Sequence, residues 1–335
     1  MVLVTGGSGL VGGHLLIHLL KQNEPIRALK RNSSSFEELK LICSYYQMDF
    51  KQVISQIEWV NGNLMDAESL EVALQGVTTV YHCAAIVSFG GSSSETLKQT
   101  NIEGTRNLVN ASLKQHISCF AFVSSIGALG QSYKGEVITE ETPWNPDNTS
   151  SIYSNSKYAA EQEVWKLSTE GIPVVIVNPG IILGPGDFSK GSLQLFAQVK
   201  KGMPFYTCQK TGYVDVCDVC RAIIELVQQR VYNQRFILVS ENLTNQQLFT
   251  WIAHAMNKRG PYISIGKRGL TLAAKIDRFL SRIVGKAPLL TPEIVLSALK
   301  QETYSSEKIR KTIGFTFIPM KESIAATCRY DANIY

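Results

Sequence analysis

Tyr153 and Lys157 carry the most chemically specific spacing in this sequence. Residues four apart on a helix share a face and stand one turn from each other. A lysine ammonium beside a phenol favours the phenolate, so the tyrosine can exchange a proton nearer neutrality than its ordinary pKa of about 10 permits. Protonating or deprotonating a carbonyl or alcohol oxygen during hydride transfer needs such a group. Upstream, the strand-like run Phe120–Val123 ends on Ser124-Ser125, where a hydroxyl could bind the same oxygen. A tyrosine and a lysine on one helix face often coincide by chance, so the weight comes from what accompanies them.

The chain opens with that company. Val2-Leu3-Val4-Thr5 runs into Gly6-Gly7-Ser8-Gly9-Leu10-Val11-Gly12, followed by the apolar run His14–Leu20. This reads as a buried strand, a tight glycine turn and a helix, the pattern of a dinucleotide-binding fingerprint. Gly6 lets the chain turn sharply, Gly9 lets backbone approach a pyrophosphate, and Gly12 lets helix and strand pack closely. The helix start at Leu10 and Val11 leaves N–H groups for the phosphates.

The elements that must position these residues are legible as an alternation. Strands are predicted at Val2–Thr5, Ile26–Lys30, Ile57–Val60, Thr79–Cys83, Ser118–Ser124 and Val174–Asn178. Helices are predicted at Gly12–Lys21, Phe36–Tyr45, Ala67–Leu74, Asn101–Lys114 and Tyr153–Gly171. Strand–helix alternation argues for an α/β fold with a doubly wound parallel sheet, whose ligands sit at the carboxyl ends of the strands. After Gly184 the pattern loosens, with Phe236–Val239 as a late strand and helices near Gln246–Asn257, Leu270–Val284 and Pro292–Lys300. We therefore expect a Rossmann-type domain over residues 1–183, with 212–240 returning to it. Residues 184–211 and 241–335 should form a smaller, mixed, mostly helical substrate-binding lobe.

Composition excludes several classes. With 44% hydrophobic and 18% charged residues, the 335-residue chain is an ordinary globular protein. Its charge of +5 is mild and has no basic block of the kind that binds nucleic acid. No apolar run reaches the roughly 18 residues of a membrane span. Seven scattered cysteines fit a reducing compartment better than a disulfide framework. A strand beginning at Val2 leaves no room for a signal peptide, so a cytoplasmic protein is expected. Cys217 and Cys220 read as core-facing residues of a helix, and the five histidines, His14 and His18 among them, as structural or surface residues. No metal site is expected.

With these motifs in place, the chain resembles the extended short-chain dehydrogenase/reductase family, in the epimerase/dehydratase superfamily. The resemblance runs through Thr5–Gly12, Ser124-Ser125, Tyr153 with Lys157, Val177–Gly186 and Gly212–Val219 to the tail. It implies that Tyr153 is the acid/base. It gives Lys157 both a pKa-lowering role and a hydrogen bond to the nicotinamide ribose. Family register, set here by Gly130, points to Ser125 over Ser124 as the catalytic hydroxyl. Asn101 matches a position that supports the proton relay, although a helix cap is the simpler reading. Pro179 and Ile182 correspond to a segment against the nicotinamide, and Asn63 and Leu64 to one against adenine. Asn63 stands where the family usually has aspartate. Ala84 and Ala85 should pack on the ribose side.

Cofactor choice follows from charge. Relatives that use NAD normally place an acid at the end of the second strand. Here Lys30 and Arg31 stand there, and a guanidinium can grip a 2′-phosphate bidentately. NADP is expected over NAD.

Within the superfamily the chain most resembles dihydroflavonol reductases and 3-hydroxysteroid dehydrogenases, which implies an NADP-dependent carbonyl reductase or alcohol dehydrogenase. Sugar-nucleotide dehydratases usually carry Thr-Asp-Glu where this chain has Ser124-Ser125-Ile126. Epimerases commonly hold the diphosphate with an arginine where this chain has Thr211, although Arg235 or Arg268 could supply the charge from elsewhere. A nucleotide-sugar epimerase or dehydratase is the enzyme alternative, and a non-catalytic NADP sensor the remote one. The expected partner is a small, apolar substrate, with a homodimer admitted. The loop Ser88–Ser92 should help shape the site. The amphipathic stretch Leu270–Val284, with Lys275, Arg278, Arg282 and Lys286 near its polar side, is expected to roof the pocket together with Leu193–Phe205. Weak contact with a membrane surface is the alternative role of that helix.

Overall fold

Alternate residues of the N-terminal strands feed two separate cores, which is why these strands are apolar throughout. Val2 and Val4 pack on one face of a sheet with Leu15, Ile17, Ala222 and Ile223, whereas Leu3 packs on the other with Leu70, Leu74 and Leu108. Phe120 and Phe122 alternate in the same way with Cys119, Ala121 and Val123. The structure, a computed structural model, describes residues 1–87, 94–132, 135–145, 151–284 and 292–334.

The first half runs β1 (Val2–Thr5), α1 (Leu10–Leu20), β2 (Ile26–Lys30), α2 (Glu37–Tyr45), α3 (Phe50–Ser55), β3 (Ile57–Asn61), α4 (Ala67–Leu74), β4 (Thr79–His82), α5 (Ser94–Lys98), α6 (Gly104–Lys114), β5 (Cys119–Val123), α7 (Ile152–Thr169) and β6 (Val174–Pro179). There follow β7 (Ile181–Leu183), α8 (Gln194–Lys200), β8 (Phe205–Tyr206), β9 (Lys210–Asp215), α9 (Val216–Gln228), β10 (Gln234–Leu238), β11 (Glu241–Thr244), α10 (Asn245–Ala255), β12 (Ile263–Ser264), α11 (Lys267–Val284), α12 (Pro292–Ser297), α13 (Glu307–Ile313) and α14 (Met320–Ile334).

Seven strands form one parallel sheet in the order β10-β6-β5-β4-β1-β2-β3. The order reverses between β1 and β4, where Thr5 pairs with His82, and ligands of open α/β sheets bind in such a crevice. This is the Rossmann-type arrangement expected from the alternation, and β10 is the late strand that returns to its edge. A smaller mixed sheet, β11-β9-β7, has its own core of Leu183, Phe196, Tyr213, Leu248, Ile252 and Ile324.

Three details differ from expectation. The helix expected to open at Asn101 begins earlier, because α5 continues through a π-helical stretch, Gln99–Glu103, into α6. Asn101 therefore lies inside a helical run and caps nothing. Helix α3 starts on Asp49, whose carboxylate accepts the Gln52 N–H at 2.8 Å. Strands β7, β8 and β12 are two or three residues long, too short to show a period in sequence.

Both ring nitrogens of His14 are engaged, Nδ1 with the Tyr46 hydroxyl and Nε2 with the Pro185 carbonyl, each at 2.8 Å. No described helix is long and apolar enough to cross a membrane.

Candidate active site

The glycine turn is shaped by contacts that exclude side chains. Gly6 has φ of 74°, and a Cβ there would lie 2.7 Å from the Ala84 backbone nitrogen. A Cβ on Gly12 would lie 2.2 Å from the Gly6 carbonyl oxygen, so α1 could not approach β1. Helix α1 starts on Gly9 with no side-chain cap and no acid in its first turn. Its leading N–H groups are thus left for an anion. Across the crevice, Thr5 Oγ1 and His82 Nδ1 lie 2.7 Å apart, and the Ala84 N–H donates to Thr5 Oγ1 at 3.3 Å. Burial pulls His82 down to about 3, so its ring is neutral and ties β1 to β4 by hydrogen bonding alone.

A cavity of about 580 Å³ opens over this crevice. That is ample for a dinucleotide half and a small substrate. It is lined by Gly6, Gly9, Leu10, Val11 and Gly12 at one end and by Ser125, Tyr153, Lys157 and Ile182 at the other. Lys30, Arg31, Asn63, Leu64, Ala84 and Ala85 complete its wall. Two expected residues are not on that wall. Pro179 is the buried last residue of β6, and its successor Gly180 lines the cavity in its place. Asn101 is 1% exposed and turned inward. Its Oδ1 accepts the Ile86 N–H at 2.8 Å, and its Nδ2 donates to the Ile86 carbonyl and to Ser156 Oγ, both at 3.0 Å. Asn101 thereby fixes Ile86, a lining residue, and the first turns of α7. Asn63 Oδ1 is used within its own loop, accepting the Met65 N–H at 3.1 Å.

Helix α7 begins on Ser151, whose hydroxyl accepts the Ser154 N–H at 3.1 Å, and this cap sets Tyr153 in the first turn. The Ser125 hydroxyl lies close enough to the Tyr153 phenol to oppose its upward shift, and accepts the Gly127 N–H at 3.0 Å. Ser124 turns the other way, donating to Glu161 Oε2 at 2.6 Å. The two serines therefore have different surroundings, and only Ser125 reaches the tyrosine.

Burial, rather than the pKa-lowering effect expected of Lys157, sets the direction of the Tyr153 shift. Burial raises the Tyr153 phenol above its ordinary value, and the contact that opposes the rise comes from Ser125. Lys157 is 2% exposed and donates Nζ–H to the Val123 carbonyl at 2.9 Å, over the Phe122 ring. Burial lowers its ammonium to about 8, against the pull of Glu161. The physical reason is burial: at this depth the cost of removing a charge from water exceeds the mutual effect of the pair.

Beneath the site lies a charge network that sequence reasoning did not find. Glu161 is fully buried and accepts from Ser124 Oγ, from Asn178 Nδ2 at 2.8 Å and from Arg235 Nη1 at 3.1 Å. Asn178 also donates to the Ser125 carbonyl at 3.0 Å, holding the backbone of that residue. A second unforeseen group closes the far end of the cavity. Glu38 Oε1 accepts the Asp187 N–H at 3.0 Å, while Lys190 Nζ lies 2.9 Å from Asp187 and 3.6 Å from Glu38. Apart from Asp187 and Lys190, three residues apart, these partners lie too far apart in sequence for any local pattern to reveal them.

Of the expected roof, the described lining residues include Leu193 alone. Among the described residues the cavity wall reaches Leu193 and includes none of Leu270–Val284, whose Leu272 and Ile276 are exposed instead. Neither proposed substitute arginine enters the cavity: Arg235 is held by Glu161, and Arg268 sits on the exposed side of α11. Among the described lining residues, Arg31 is the one arginine. Ser88–Ser92 and Lys286 lie outside the described residues.

Comparison with known proteins agrees with this geometry. The chain is 28% identical to a Synechocystis sp. protein named provisionally as a dihydroflavonol 4-reductase, over 98% of this chain and 94% of that one. It is 25% identical to cinnamoyl-CoA reductase 1 of Petunia hybrida, over 98% and 91% of the two chains. Among solved structures, that of gox2253 superimposes with a TM-score of 0.83 at 27% identity, covering 100% of this chain and 98% of the other. The profile of the NAD dependent epimerase/dehydratase family, a family of nicotinamide-dinucleotide enzymes, matches residues 2–237. That match spans the glycine turn, Ser125 and Tyr153, six strands of the parallel sheet and all but the last residue of β10, and the chain belongs to the NAD dependent epimerase/dehydratase family.

Proposed function

We propose that the protein is an NADP(H)-dependent carbonyl reductase, or in the reverse direction an alcohol dehydrogenase, of a small apolar substrate. The observation that carries this reading is the placing of Ser125, Tyr153 and Lys157 together on the wall of a cavity whose one described arginine is Arg31, at the end of the second strand. Residues 1–183 with 212–240 are read as the cofactor-binding part, and 184–211 with 241–335 as the substrate lobe.

The residues present fit a nicotinamide dinucleotide. The uncapped turn at Gly9, Leu10 and Val11 suits a pyrophosphate. Lys30 and Arg31 suit a 2′-phosphate, Asn63 and Leu64 the adenine, and Ala84 and Ala85 a closely packed ribose. Lys157 would hold the nicotinamide ribose, and Ile182 would lie against the nicotinamide. When bound, the cofactor supplies or accepts the hydride. The chain handles the proton. A phenol held above its ordinary value is protonated at neutral pH, so Tyr153 stands ready to donate to a carbonyl oxygen in reduction. Ser125 orients that oxygen and accompanies the proton's departure. Lys157, still a cation at neutral pH, stabilises the phenolate left behind.

The test is consumption of NADPH with neutral hydrophobic ketones or aldehydes, by the native protein and by Tyr153→Phe. Turnover in the first and none in the second is expected, and equal rates would remove Tyr153 from the reaction. A second reading, transient oxidation of a nucleotide sugar, uses the same pair. It is favoured by Lys190, a cation on the cavity wall, although both acids beside it already hold it.

A further inference from the structure

Helix α11 displays an apolar stripe that the fold does not cover. Leu272 is 60% exposed and Ile276 51%, and at a spacing of four they form one row along the helix. Leu270, by contrast, is buried, and Ala273, Ala274 and Asp277 are partly covered, so the helix is attached by a different side. The row of exposed apolar groups is continued by Arg268 and flanked by Lys275, with Lys267 and Arg278 further round, all four exposed. Between residues 267 and 278 the sequence has those four basic residues and one acid, Asp277. The pair of short strands that leads into the helix adds more apolar surface. Phe205 and Ile263 are register partners, 45% and 39% exposed, and Tyr262 is 57% exposed beneath the Arg259 guanidinium.

We propose that α11 is a membrane-surface helix that seats on bilayers rich in anionic phospholipid. Charge complementarity decides the occupant. A narrow apolar row bordered by cations of one sign can enter the head-group boundary while its lysines and arginines meet lipid phosphates. A protein groove would have to provide matching acids for each of them. None of the described α11 side chains lines the cavity, so the exposed row Leu272–Ile276 is not waiting for substrate. With no described helix able to span a bilayer, the association is peripheral and reversible. It stands whatever reaction the cavity carries out.

The test is flotation of the full-length protein with vesicles of phosphatidylcholine alone and of phosphatidylcholine mixed with phosphatidylglycerol. Binding to the mixed vesicles should exceed binding to the neutral ones by about tenfold or more and should fall as salt is raised. Lys275→Gln should lower it by about fivefold, the effect of about one surface charge. Leu272→Ser with Ile276→Ser should lower it by about tenfold or more. These side chains are exposed, and unchanged circular dichroism would confirm that the variants fold. Equal or absent binding to both vesicle types would overturn the proposal, as would variants that bind like the native chain. Self-association in solution that Leu272→Ser abolishes would overturn it as well, by assigning the row to a second copy.

Discussion

Arg235 and Glu161 form an ion pair beneath the cavity, Nη1 to Oε1 at 3.1 Å, with Glu161 fully buried. The arginine also donates through Nε to the Glu140 carbonyl at 2.9 Å, so it is held on two sides and turned away from any ligand. Removing it leaves a buried carboxylate with Ser124, Asn178 and the Coulombic pull of Lys157, but without its ion-pair partner. Arg235→Ala should therefore cost about 3–5 kcal/mol of stability in denaturant unfolding. Replacing both partners, as Arg235→Met with Glu161→Met, should cost less than Arg235→Ala alone. A double variant at least as unstable as the single one would show that the pair is not the source of the loss.

On the proposed reading, cofactor preference turns on Arg31. If it grips a 2′-phosphate, Arg31→Ala should weaken NADP binding by roughly 1.5–3 kcal/mol, the range for a charged hydrogen bond, and NAD binding far less. Calorimetric titration with both cofactors checks this. Equal losses, or a native preference for NAD, would refute the assignment.

Tyr153 and Lys157 should separate chemistry from binding. Tyr153→Phe removes one oxygen and little packing, so NADP affinity should stay nearly intact while turnover is lost. Lys157→Ala should damage both. An unchanged NADP affinity in Lys157→Ala would remove the proposed ribose contact.

Lys157 also makes stability depend on pH. Its folded value of about 8 lies below its ordinary 10.5, so the unfolded chain binds this proton more tightly. The resulting penalty, roughly 3 kcal/mol, is fully present below about pH 8 and is relieved as pH rises toward 10.5. Lys157→Met should thus be more stable than the native protein at pH 7, and the gap should close in that window. Denaturant midpoints measured across it provide the check, and a gap that does not change with pH contradicts the buried-ammonium account.

The parts of the molecule that were legible in sequence are those with local causes. The ends of β1 and β2 were readable to the residue, because apolar runs there meet a glycine turn or a break in pattern. The cavity residues around Gly9 and Ala84 followed from the same logic. What remained hidden depends on burial and on distant partners. That Asn101 and Pro179 lie off the cavity wall could not be read, because sequence gives a residue's neighbours along the chain and not the side on which it is covered. The partner of Glu161 is Arg235, 74 residues away, a distance no local pattern spans. Helix α11 was readable as amphipathic, but sequence could not tell whether its apolar side faced the cavity or solvent.

The central claim, carbonyl reduction in place of nucleotide-sugar chemistry, is tested most directly by calorimetric titration of the NADP-loaded protein with UDP- and dTDP-sugars. A diphosphate carries about two charges, and its recognition calls for bidentate arginines at the substrate end. With Thr211 at the expected arginine position and Arg235 held by Glu161, the account predicts no measurable binding. Binding of a sugar nucleotide at micromolar concentration would contradict it.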